Sequence, residues 1–286
     1  MRVLQLIDTL EAGGAERMAV NLANALVPEV ERSYLCATRK EGLLRSALDS
    51  AVGYLFLDKK STADVMAFRS LYHFINRERI TIIHAHSSSF FISVLLKIAL
   101  PTIKLIWHDH YGNSDFLNER PQYVLRLCSK YFSHSFAVNA ILETWAVQNL
   151  KHGSVSYLSN FIDVDTYLEQ NTILKGRKGS RIICLANLRP QKDHINMLRA
   201  FSSVLDKGYH DWHLLFVGRD WNDDYSNSLK EYIQKHEINE NVSILGGRSD
   251  TAQILKYCEI GVLSSESEGL PVALLEYALA SLAVIS

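Results

Sequence analysis

The stretch TIIHAHSSSFFISVLLKIALPTIKLIWHDH (residues 81–110) decides the fold class. It holds a strand-forming run at 81–84, a helix-period segment at 90–99 and a second strand-forming run at 104–107. Neither strand run alternates apolar with polar residues. Strands buried on both faces of a parallel sheet read this way, and the helix between them is the crossover that parallel pairing requires.

The same order extends in both directions. Strand candidates lie at 3–7, 33–37 and 53–57 before the stretch, and at 135–138 and 155–158 after it. Helix-period segments at 15–26, 43–51, 65–78, 123–131 and 142–150 separate them. A βαβ alternation of this length predicts a doubly wound α/β domain. The pattern lapses in DVDTYLEQNTILKGRKGSR (163–181), which is polar and then basic. It resumes with strands at 182–186, 213–217, 242–245, 260–263 and 283–285, and helices at 194–206, 225–236, 251–258 and 272–280. The expected organisation is a domain over 1–165, a linker over 166–180 and a second domain over 181–286. A cleft between two such halves is the usual place for a ligand.

Composition narrows the function classes. Hydrophobic residues make up 48% and charged residues 21%, which excludes a disordered chain. A formal net charge of −1 gives no field for nucleic acid. The four cysteines, Cys36, Cys128, Cys184 and Cys258, are far apart in sequence, so a disulfide framework or zinc ribbon is not expected and a reducing cytoplasm fits. The longest apolar stretch, FFISVLLKIAL (90–100), is interrupted by Lys97 and is too short to span a bilayer. Peripheral contact with the inner membrane face stays open.

Four motifs stand where a doubly wound sheet places its ligands. In LEAGGAER, Gly13 and Gly14 allow close backbone approach before a helix N-terminus, which suits an anion. It is neither G-x-G-x-x-G nor a Walker loop. The doublets His84/His86 and His108/His110 each aim two imidazoles to one side of a strand, for a metal ion or for a substrate. In LANLRPQKDH, Arg189 and Lys192 follow a buried strand and suit a diphosphate. In SSESEGLPVALLEYA, the strand end leads to Glu268 and then to Gly269, Leu270, Pro271 and Val272, whose amides open a helix carrying Glu276. Pro271 suits the first helical turn. Carboxylates beside a phosphate site are better matched to sugar hydroxyls.

The array GGAER, NFID, NLRPQKD and SSESEGLPVALLEYA resembles glycosyltransferase family 4, the retaining sugar-nucleotide transferases of the GT-B fold. The resemblance spans the chain, and its most specific element is Glu268-x7-Glu276. It departs from the family's common Gly-Arg-Leu-x-Pro-x-Lys at Ala186–Lys192, where the arginine, Arg189, is displaced by two positions. Phe161 replaces the usual glycine of the Asn-Gly-x-Asp hallmark. By resemblance Glu276 binds the donor ribose and Glu268 the donor sugar. Lys192 and an arginine clamp the diphosphate with the amides of Gly269 to Val272 and of Gly13–Gly14. One of His108 and His110 contacts the sugar being transferred, and the doublets hold no metal. The acceptor is expected near Gly14 and Glu16. The resemblance implies no cofactor, a UDP- or GDP-linked donor and a glycan or lipid-linked acceptor, in cell-surface polysaccharide biosynthesis. It also implies a second domain cut short, because LAVIS (282–286) reads as a fifth strand beyond which family members continue. Other readings of the same features are a sugar-nucleotide epimerase, a metal-dependent hydrolase using the histidine doublets, and a non-catalytic nucleotide-sugar-binding chain.

Overall fold

The computed structural model describes residues 1–162, 173–248, 250–268 and 270–286. The chain divides into two compact units, Met1–Asp163 with Glu268–Leu270 and Val164–Ser267 with Pro271–Ser286. The expected boundary at 165/166 and the first part of the expected linker lie outside the described residues.

The first unit is a parallel sheet of seven strands. They are β1 (Arg2–Thr9), β2 (Arg32–Lys40), β3 (Gly53–Phe56), β4 (Ile82–His86), β5 (Lys104–Asp109), β6 (His134–Ala137) and β7 (Val155–Tyr157). Their order is β3-β2-β1-β4-β5-β6-β7, so the winding reverses between β1 and β4. The helices are α1 (Gly14–Ala25), α2 (Val65–Arg77), α3 (Phe90–Ala99), α4 (Tyr123–Cys128) and α5 (Ala140–Asn149).

Burial of both sheet faces explains the unbroken apolar strands. Tyr34 and Cys36 of β2 enter one core with Leu4, Leu6, Leu71, Ile83, Leu105 and Trp107. Leu35 and Ala37 enter the other with Ile7, Ala19 and Val20. Helix α2 shows how local sequence meets this demand. Asp64 caps it by accepting from the Ala67 N–H at 3.0 Å, and Ala67, Leu71, Phe74 and Ile75 form one buried stripe.

The second unit repeats the plan with β8 (Arg181–Leu185), β9 (His213–Val217), β10 (Val242–Ile244), β11 (Ile260–Val262) and β12 (Ala283–Ile285). The order is β10-β9-β8-β11-β12, all parallel, with the reversal between β8 and β11. Its helices are α6 (His194–Asp206), α7 (Asp224–Lys235), α8 (Thr251–Leu255) and α9 (Val272–Leu279). Here too successive residues face opposite cores: Cys184 and Phe216 one, Ile183, Leu215 and Val217 the other.

Three local expectations change. The segment at 43–51 forms only a short 3-10 turn, Leu43–Ala47. Asp49 competes with helix continuation, accepting from the Ala51 N–H at 2.7 Å. Strands β4 and β5 run further than expected and include His86 and His108, which are register partners. Pro271 precedes the first turn of α9, with an extended ψ of 116°. No described helix is long and apolar enough to cross a membrane.

Candidate functional site

In the second unit, loops from the carboxyl ends of β8, β9 and β11 meet at the winding reversal, where open parallel sheets bind ligands. The loop after β8 carries Arg189, exposed, and Lys192, half-buried. The loop after β9 lies against it. A Cβ on Gly218 would fall 2.0 Å from the Ala186 carbonyl oxygen, so only glycine allows this approach. The Arg219 N–H donates to Asn187 Oδ1 at 2.8 Å. The guanidinium groups of Arg189 and Arg219 both lie over the Trp221 ring, at 4.7 and 4.8 Å from its centroid. Sequence reasoning found Arg189 and Lys192 but missed Arg219 and Trp221. The only available signal was GRDW directly after the strand at 213–217.

The serine-rich loop after β11 is tied to the same place. Ser264 Oγ donates to the Lys192 carbonyl at 2.8 Å, and Gln191 Nε2 donates to the Ser267 carbonyl at 3.2 Å. Helix α9 is fixed by Tyr277. Its hydroxyl accepts from the Leu185 N–H at 2.7 Å and donates to the Val262 carbonyl at 3.1 Å, spanning β8 and β11. Its ring fills the space above Gly261, where a Cβ would lie 2.4 Å from ring carbon. Glu276 precedes this anchor and is buried. Val272 is the first residue of the helix. Glu268 and Leu270 group with the first unit instead. Ser114 Oγ donates to the Glu268 carbonyl and Asn160 Nδ2 to the Leu270 carbonyl, each at 2.6 Å. Gly269 lies outside the described residues.

In the first unit the two histidine doublets form one cluster. His84 and His86 on β4 stack at 4.6 Å between centroids, and His84 stacks on His108 of β5 at 5.2 Å. His110, just past β5, lies 4.0 Å from His108. His86 Nδ1 is 3.0 Å from His110 Nε2, and His86 Nε2 is 2.8 Å from Gln5 Oε1. Burial holds His84 down at about 3 and His86 and His108 well below the usual imidazole range. These rings are neutral at pH 7. His86 and His108 have no exposed surface, whereas His110 is half-buried.

Asp109, between His108 and His110, makes a bidentate pair with Arg120 at 2.6 and 2.8 Å. The Arg120 guanidinium also lies 4.2 Å from the Trp145 ring centroid. At the end of β1, Asp8 accepts from Ser88 Oγ at 2.7 Å and lies 3.9 Å from the buried Lys59 ammonium. Gly14 opens α1. Gly13 is extended, so its backbone does not demand glycine. The demand is spatial: a Cβ there would sit 2.3 Å from the Glu16 carboxylate, which Thr9 Oγ1 holds at 2.9 Å.

Comparison with known proteins gives the family and the fold. A family model described as Glycosyltransferase Family 4 matches residues 12–166, more than half of the chain. The chain belongs to glycosyltransferase family 4. A second model, Glycosyl transferases group 1, matches residues 168–286. One relative is the UDP-Gal:alpha-D-GlcNAc-diphosphoundecaprenol alpha-1,3-galactosyltransferase of Escherichia coli. It is 22% identical over 277 residues, 88% of this chain and 70% of that protein. The capsular polysaccharide biosynthesis glycosyltransferase CapH of Staphylococcus aureus is 23% identical over 291 residues, 96% and 78% of the two chains. HepE of Anabaena, solved with UDP and glucose, has a TM-score of 0.78 at 16% identity, covering 100% of this chain and 80% of that one. At this identity the likeness concerns the fold, and the two parallel sheets are those of GT-B. As a member of the family, the protein is a glycosyltransferase that uses a nucleotide-sugar donor.

Proposed function

We propose that this family 4 enzyme transfers a sugar from a UDP-linked donor, with retention of configuration, to a lipid-linked glycan during assembly of a surface polysaccharide. The observation that carries the donor reading is the group Arg189, Lys192 and Arg219 at the winding reversal of the second unit. Three cations on adjacent strand-end loops match the two phosphates of a nucleotide diphosphate. The UDP bound by HepE supports the choice of base, and the diphosphoundecaprenol substrate in the name of the Escherichia coli relative supports the acceptor class.

Arg189, Lys192 and Arg219 neutralise the diphosphate, with Arg219 beside the displaced Arg189 on Trp221. Glu276 binds the ribose hydroxyls, and Glu268 and His110 serve the sugar being transferred. His110 is chosen over His108 because it alone of the two has exposed surface. Gly13, Gly14 and Glu16 belong to the acceptor side. The acceptor oxygen bonds to the anomeric carbon as the bond to the phosphate oxygen breaks, and the acceptor proton passes to that leaving oxygen. Fixed positive side-chain charge beside the departing diphosphate stabilises the negative charge that develops there in the transition state.

Calorimetry with UDP-, GDP- and ADP-sugars tests the reading. UDP-sugar should bind tightest, and Lys192→Ala and Glu276→Ala should each weaken it by about tenfold or more, roughly 1.4 kcal/mol. Failure of all three nucleotides to bind would overturn the proposal, as would tighter binding of GDP- or ADP-sugars for the base assignment.

A further inference from the structure

The geometry points to a zinc-class divalent metal site formed by His86, His108 and His110 in the first unit. Its existence does not depend on the donor and acceptor assignments above. One ring nitrogen from each of the three lies within 4.8 Å of the others. A tetrahedral zinc site with metal–nitrogen bonds of about 2.0–2.1 Å spaces its ligand atoms about 3.3 Å apart. The His86 Nδ1 to His110 Nε2 separation is already 3.0 Å. His86 and His108 are cross-strand partners on adjacent parallel strands, so the sheet itself fixes two of the three ligands.

Two further features distinguish this cluster from a stack of neutral core imidazoles. His86 Nε2 meets the Gln5 side-chain oxygen at 2.8 Å, which places the proton on Nε2 and turns the Nδ1 lone pair toward the cluster. Ligating histidines use their second nitrogen this way. The other feature is His108, which is fully buried and has no hydrogen-bond partner at either nitrogen among the described residues. Buried polar groups left unpaired call for an explanation, and a bound ion is one. The hydrogen bond between His86 and His110 accounts for those two rings but leaves His108 unexplained. Three neutral imidazoles favour a late first-row divalent ion, zinc being the redox-inert choice. His110 is half-buried, leaving a path for entry and a fourth position for water. A metal here would tie the ends of β4 and β5 together and occupy a nitrogen of His110, so zinc should inhibit transfer.

The test uses the full chain without a histidine tag, stripped with EDTA and titrated with Co²⁺. One equivalent should bind, with visible absorption of four-coordinate cobalt that Zn²⁺ bleaches. His110→Ala should abolish that spectrum. Gln5→Leu, which touches no ligand nitrogen other than through the hydrogen bond to His86, should weaken binding by about 10–100-fold. Circular dichroism confirms that both variants are folded. Absence of stoichiometric Co²⁺ and Zn²⁺ binding to the unsubstituted protein would overturn the inference. So would binding of undiminished affinity in both variants, which would mark the metal as adventitious.

Discussion

At the residue scale, the sharpest dependence is that of Asp109 on Arg120. Their side chains are 1% and 7% exposed, so neither charge reaches water to replace its partner. Arg120→Met should therefore destabilise the protein by about 3–5 kcal/mol in urea melts, because it strands a buried carboxylate. Adding Asp109→Asn should recover part of the loss, since it removes the stranded charge. A single-variant loss below about 1 kcal/mol would show that the pair is not needed. His194 provides a pH test in the second unit. It is fully buried, its Nδ1 is 3.3 Å from the Tyr225 hydroxyl, and burial lowers it to about 4. The unfolded chain takes up this proton near pH 6.5, whereas the folded chain resists until about 4. The stability contribution is thus present above pH 6.5 and is lost as pH falls toward 4, by about 3 kcal/mol in all. Chemical denaturation of His194→Leu across this range should show a shallower acid limb than the parent. Parallel limbs would refute the assignment.

At the element scale, α9 matters because it is the support of Glu276, and Tyr277 is what fixes it. Tyr277→Phe keeps the packing over Gly261 but leaves the Leu185 N–H and the Val262 carbonyl without the hydroxyl. The expected loss is about 1–3 kcal/mol in stability, with weaker nucleotide binding as α9 loosens. Unchanged melting and unchanged binding would show that packing alone holds the helix. Gly261→Ala tests the same joint sterically and should cost more than the loss of the hydroxyl, because its Cβ would overlap the ring. The alternation of elements was legible in the sequence because buried parallel strands must be apolar on both faces, as in 105–107. The extension of β4 and β5 was not. His86 and His108 lie past the apolar runs at 81–84 and 104–107, and their pairing with each other carries both strands on to include them. The short turn at 43–47 was missed for the opposite reason, a local Asp49 hydrogen bond overriding a helical period.

At the scale of the whole molecule, the motifs visible in sequence were those whose chemistry lies within one loop, such as Arg189 with Lys192. The features that emerged only in three dimensions join distant segments: Arg219 beside Arg189 on Trp221, Arg120 on Asp109, and the two histidine doublets in one cluster. Pairing of β4 with β5 brings the doublets together and pairing of β8 with β9 sets the loops of Arg189 and Arg219 side by side, and no spacing within a single segment encodes this. The two units have separate cores, one set around β1–β7 and the other around β8–β12. A ligand stabilises the unit it binds by RT ln(1 + [L]/Kd), about 2.7 kcal/mol at a hundredfold excess over Kd. If the donor nucleotide occupies the strand ends of the second unit, saturating UDP should slow amide exchange most at residues 186–192, 218–221 and 264–267. Strands β2 and β3, at one edge of the first unit's sheet, should exchange as they do without nucleotide. Hydrogen-exchange mass spectrometry resolves these segments. Protection confined to the first unit would place the nucleotide elsewhere and remove the role assigned to Lys192, Arg219 and Glu276.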